Sequence, residues 1–138
     1  MNPAAAYKRR AIESASPIGL VVLLYQAAVV DLRRALAAME NDPDAPRQIE
    51  VRTQACNRVL AIVGELKGVL NYDSGGEVAR NFSRFYQLAE RLIVQASFQR
   101  DPEPVREMLQ QFVIILNAWR EVEARPMAAA QVPAAWSA

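Results

Sequence analysis

From Ile18 to Val30 only Gly19 and Gln26 are not apolar. The run follows Ser16-Pro17. A serine hydroxyl can accept an orphan backbone N–H at a helix start, and a proline there has no N–H to strand. No Glu or Gln stands three residues after Ser16, so the start lacks a capping box. The run is far short of the about 20 apolar residues needed to span a bilayer. Placed on a helical wheel at about 100° per residue, Val21, Leu24, Ala28, Leu32, Ala35 and Met39 form one stripe. Leu20, Leu23, Ala27 and Val30 form a second, and that face turns polar further along, at Asp31 and Arg34. The first half of this helix therefore has two apolar faces where a small bundle needs one. The segment Asn41-Asp42-Pro43-Asp44-Ala45-Pro46 cannot readily extend it, so the helix is predicted over residues 17–40.

The same periodicity predicts three more helices. The second covers about residues 48–72, with a core stripe of Ala55, Cys56, Val59, Ile62, Val63, Leu66, Val69 and Leu70, and Leu60 at its edge. Asp73-Ser74-Gly75-Gly76 breaks the chain, since one glycine can take the left-handed conformation that closes a helix. The third starts near Glu77, whose charge suits a helix N-terminus. Its expected core stripe is Val78, Phe82, Phe85, Ala89, Leu92, Ile93 and Ala96, while Val94 and Phe98 point away beside Gln87 and Arg91. Asp101 as N-cap and Pro102 as first residue open the fourth, over about 102–124. Its stripe is Val105, Met108, Leu109, Phe112, Ile115, Leu116, Trp119 and Val122, with Ile114 on the opposite face. Four helices of about 22 residues, each roughly 33 Å long, joined by short loops, predict an all-α, antiparallel up-down-up-down four-helix bundle. Residues 1–13 precede it as a short lead anchored by Tyr7 and Ile12. Residues 14–125 form the bundle domain, and the Ala- and Pro-rich residues 126–138 are expected to be a disordered tail.

Composition narrows the function. A chain of 138 residues suits one domain that buries roughly two-thirds of its unfolded surface. Sixteen basic residues against fifteen acidic ones argue against a nucleic-acid binder or a polybasic membrane anchor. No secretory signal or transmembrane span is visible. Cys56 is the single cysteine, which rules out an internal disulfide and suits a reducing compartment.

Chemistry is sparse. Histidine, the commonest general base and imidazole ligand, does not occur. Cys56 lies on a core stripe and reads as an inert packed thiol. No Glu-x-x-His pair, P-loop or calcium loop is present, so no enzymatic site, metal or cofactor is expected. Buried polar groups, which a ligand-carrying bundle would need, are not expected in the core. Tyr25 beside the first stripe reads as structural, with its hydroxyl at the surface.

In order, the chain carries Tyr7; Ala15-Ser16-Pro17; Leu23-Leu24-Tyr25; Leu70-Asn71; Gly75-Gly76-Glu77-Val78-Ala79 with Asn81; Arg91-Leu92; and Ala118-Trp119. This order and spacing resemble the flagellar secretion chaperone family FliS over about residues 4–120. The glycine–glycine junction is the most specific piece. The chain departs from the family pattern at Tyr25-Gln26-Ala27, where the family usually has Tyr-Asp-Gly, and in the basic lead Tyr7-Lys8-Arg9-Arg10. The resemblance implies a four-helix bundle and a cytoplasmic, non-enzymatic chaperone. It implies binding of the C-terminal segment of flagellin, prevention of premature polymerisation, and hand-over to the flagellar type III export apparatus.

The candidate partner-binding residues are Tyr7, Ile12, Leu20, Leu23, Ala27, Val30, Val94, Phe98 and Ile114. Two readings of the second stripe on the first helix stay open. It is a groove that receives a partner helix, or it is covered for good by the lead, which is then a fixed cap rather than a lid. The alternative function is a structural homo-oligomer, such as a homodimer, using that stripe as its self-interface.

Overall fold

In the computed structural model, residues 17–125 are described, and they form four helices with no strand among them. These are α1 (Pro17–Glu40), α2 (Pro46–Gly68), α3 (Tyr72–Gln99) and α4 (Pro102–Glu123). Each helix packs on the next in the chain, and α1 closes the ring against α4. With connections of a few residues, consecutive helices run antiparallel, as the sequence predicts. Ser16, the lead residues Tyr7 and Ile12, and the tail lie outside the described residues.

The helix ends follow local chemistry. Asp101 accepts a hydrogen bond from the Glu103 backbone N–H at 3.1 Å, so it is the N-cap expected for α4. Arg100 takes a left-handed conformation (φ 55°) to end α3, and its N–H returns to the Ala96 carbonyl. α2 stops earlier than the expected residue 72. The reason lies in Asn71, which caps the next helix by accepting from the Ser74 N–H at 3.1 Å. A helical turn therefore forms before the glycines, and the break falls within α3 at Gly76 (φ 52°, ψ −127°). Only glycine visits that region freely.

All six residues of the first α1 stripe are buried. Two corrections concern α3. Val78, expected in the core, is 50% exposed, because Ala79 takes the inward position just after the break. The buried line of α3 is Ala79, Tyr86, Ala89, Ile93 and Ala96, with Phe82, Phe85 and Leu92 only partly buried beside it. The error is confined to the half of α3 that follows the break at Gly76, where Ala79 and Tyr86 take the innermost positions, while Ala89, Ile93 and Ala96 are buried as expected.

Two further corrections concern polar groups. Tyr25 is fully buried rather than surface-tipped, and its hydroxyl pairs with that of Tyr86 at 2.7 Å. The core therefore does contain a polar pair. Around it the ring of Phe112 approaches Tyr25 at 5.1 Å, and Phe85 approaches both Phe112 and Tyr86 at 5.7 Å. Phe82 links Tyr86 to Trp119, at 6.0 Å from each. Asp31 is also buried instead of making a wet face. It pairs with Arg34 at 3.1 Å and reaches Arg58 of α2 at 3.7 Å.

Tyr25 is also hydrogen-bonded by the Trp119 indole, so losing the Tyr86 hydroxyl leaves Tyr25 one partner, while losing the Tyr25 hydroxyl takes a partner from both Tyr86 and Trp119. Tyr25→Phe should cost about 1–3 kcal/mol and Tyr86→Phe less, about 1 kcal/mol, and the double variant should cost less than the sum of the two. Burial pushes both phenols above their ordinary pKa of 10.0. The unfolded chain then loses these protons first as pH rises, so the pair's contribution is full below about 10 and falls above it. Urea denaturation across that range should show a steeper alkaline loss for the native chain than for the double variant.

No neighbouring atom lies within 4 Å of a Cβ placed at Gly76 or at Gly64, one turn before the end of α2, so substitution tests the backbone alone. Gly76→Ala should destabilise by about 1–3 kcal/mol, whereas Gly64→Ala should stabilise by about 0.5–1 kcal/mol. Thermal denaturation with opposite signs for the two variants is the expected result.

Candidate partner-binding surface

With the core filled, the apolar groups left over are the ones to place. Among the described residues Phe98 is 85% exposed, Ile114 62%, Val30 56% and Val94 40%. Each was expected outside the core from its position on the wheel. Leu20 and Leu23 are half-buried, and Leu20 packs partly against the core, while Ala27 is exposed. The second α1 stripe is thus anchored at its N-terminal end and free at its C-terminal end.

The structure does not gather these residues into one groove. Val94 and Phe98 meet in a groove of about 270 Å³ between α2 and α3, whose lining includes Cys56, Leu60 and Ile93. Val94 also borders a broader, shallow depression along α3 with Gln87, Glu90, Arg91 and Gln95. Val30 borders a separate cleft of about 320 Å³ between α1 and α4, with Val29, Val113 and Leu116 on its apolar side. Gln26, Arg33, Asn117 and Arg120 rim that cleft. Ile114 stands on the outer face of α4 and lines neither groove.

Charges tie the seams together. Lys67 of α2 bonds Glu90 of α3 at 2.9 Å, which consumes the carboxylate of the shallow depression. At the opposite end Arg106 pairs with both Glu40 and Glu103, and Arg100 pairs with Asp44. Cys56 is buried, and burial pushes its thiol up, with Ser97 and the charge of Arg52 opposing only in part. A neutral buried thiol suits packing better than attack. Among the described residues no cluster of three or more metal-ligating side chains occurs.

Leu60 was expected only at the edge of a stripe, and it proves to be a groove wall. Tyr72 and Leu88 are exposed apolar residues that the wheel did not single out, and Val78, which it put in the core, is exposed with them. Arg52, one turn before the core stripe, is buried with no sign of it in the sequence, since arginine is seldom buried without a partner.

A filled all-α core beneath apolar seams left exposed among the described residues defines a helical bundle with surface to spare. The family model for flagellar protein FliS matches residues 1–126, and the chain belongs to that family. The chain is 32% identical over 117 residues to the flagellar secretion chaperone FliS of Campylobacter jejuni, covering 85% of this chain and 88% of that protein. It is 28% identical over 121 residues to FliS of Vibrio cholerae, at 85% of each. It is 29% identical over 120 residues to FliS of Bacillus subtilis, at 87% of this chain and 85% of that one. No described helix is long and apolar enough to cross a membrane.

The outer positions should be nearly neutral for folding and the inner ones should not. Val30→Asp should shift stability by less than about 0.5 kcal/mol. Val21→Asp, at a fully buried position, should unfold the domain by stranding a charge in the core. Urea midpoints check this, and equal losses would show that the outward face of α1 is core.

Proposed function

We propose that the chain is a cytoplasmic, non-enzymatic export chaperone that binds the C-terminal segment of flagellin. It keeps that segment from polymerising prematurely and helps deliver it to the flagellar type III export apparatus. Membership of the FliS family supports this reading, and so do the names of the relatives as flagellar secretion chaperones. The observation that carries it is a core complete without Phe98, Val94 and Val30, which stay exposed at helix seams. Contiguous exposed apolar surface marks interaction sites, and Val94 and Phe98 adjoin in one groove.

Energetics favour a wrapped segment. Burying Phe98 alone would contribute about 1.5–3 kcal/mol. Ordering a disordered tail costs conformational entropy, which only a long contact surface can offset. Two separated grooves, α2–α3 and α1–α4, suit a segment that runs around the bundle better than one short helix in one groove. The residues that carry binding are then Leu23, Ala27 and Val30 on α1, with Val94 and Phe98 on α3. Leu20 supports them, and Ile114 on α4 extends the path. On this reading the lead, with Tyr7 and Ile12, acts as a lid over part of this surface rather than as a contact. A covered site lowers apparent affinity by the fraction of open molecules.

Calorimetry with the flagellin C-terminal segment should show one-to-one binding, and circular dichroism should show gained helix. Val30→Asp and Phe98→Ala should each weaken binding, and deletion of residues 1–13 should tighten it. Absence of binding at micromolar protein, with unchanged dichroism, would refute the chaperone reading. A concentration-dependent dimer that blocks these same residues in sedimentation would replace it with the homo-oligomer.

A further inference from the structure

In the α2–α3 groove the side chain of Arg52 is unusual. The residue is 7% exposed, and its Nε is buried with no hydrogen-bond acceptor among the described residues. No carboxylate among them lies within ion-pair distance of its guanidinium. The acid further along the same seam, Glu90, is already engaged by Lys67. Ser97 and Phe98, in the last turn of α3, share the groove with Arg52. The carbonyl end of that helix lends partial negative charge, which helps keep a cation there. It leaves Nε without an acceptor all the same. An arginine buried without its counter-charge costs stability, and removing such a charge is often neutral or favourable.

Beside the guanidinium lies apolar surface. Val94 and Phe98 are exposed on α3, with Leu60 facing them from α2. We propose that this groove is a subsite for an acidic–apolar pair on a polypeptide partner. The partner carboxylate accepts from Arg52, and its apolar neighbour lies over Leu60, Val94 and Phe98. The planar guanidinium fork favours a carboxylate over other anions of similar size. In this state the unpaired charge gains its partner only in the complex, so the pairing adds selectivity as well as affinity. The identity of that partner as a flagellin segment rests on the proposed chaperone role; the subsite itself does not.

The test uses the full chain and two small probes, 3-phenylpropionate and its uncharged amide, 3-phenylpropanamide. Nuclear magnetic resonance of the arginine Nε–H groups should show a saturable shift of the Arg52 signal with the acid. The amide should bind roughly tenfold more weakly, as expected for loss of a charge-assisted hydrogen bond. Arg52→Met should abolish the preference for the acid while leaving the urea midpoint unchanged or raised. Arg52→Gln serves as the second variant should the methionine fail to fold. Equal binding of acid and amide would overturn the subsite. So would a large stability loss in both variants with probe binding retained, since Arg52 would then be structural. A parallel titration uses the flagellin C-terminal segment with its acidic residues replaced one at a time by amides. One such change should weaken binding to the native chain and have no further effect on Arg52→Met. If the native segment does not bind the native chain, the chaperone role fails, and the two small probes still decide the Arg52 subsite.

Discussion

The hydroxyl pair of Tyr25 and Tyr86 holds the interior of this bundle in register. It joins α1 to α3, helices that sit across the ring from each other and share little other contact. A hydrogen bond in a dry interior has no competing water, and a lone hydroxyl there would be costly. The two helices are therefore held at one rotation and one axial position. Phe82, Phe85, Phe112 and Trp119 pack around the pair and carry that constraint to α4. Once α1 and α3 are set, Val94 and Phe98 must face the α2 seam, and Val30 must face outward.

That surface comes with a cost in the free protein. Exposed Phe98 and Val30 favour association, and a chain with near-zero net charge has little repulsion to oppose it. A bundle whose interior is already closed can tolerate such residues because none of them is needed for folding. Separation of folding from binding is what lets a chaperone expose apolar groups without losing its own structure. The Asp31 cluster serves the same end. Arg34 and Arg58 neutralise a buried carboxylate at the α1–α2 seam, so that seam is closed by charge, whereas α2–α3 remains open beyond Lys67–Glu90.

The two open seams differ in chemistry. The α1–α4 cleft is rimmed by Arg33 and Arg120 at the surface, where water solvates them. The α2–α3 groove holds its arginine inside, next to a thiol and a phenyl ring. A solvated cation steers a partner from a distance and discriminates weakly. A buried one discriminates strongly, because a partner that fails to match it leaves a charge stranded.

Helix positions were legible in the sequence because they depend on neighbours in the chain. Pro17, the Asn41–Pro46 breaker, Gly76 and the Asp101-Pro102 start are local signals, and each lies at a helix boundary or break. The first α1 stripe was legible because its large aliphatics dominate any wheel. Exposure of Val30, Val94, Phe98 and Ile114 was legible for the same reason. What the sequence could not determine was rotation about each helix axis to within one residue, and so Ala79 rather than Val78 points inward. Nor could it join residues 61 positions apart, as the Tyr25–Tyr86 bond does. It could not divide the exposed residues between two grooves, because that depends on which helices become neighbours. Burial of Asp31 and Arg52 was also decided only in three dimensions. Whether a charged side chain is inside rests on what faces it from another helix, and periodicity along one helix carries no record of that.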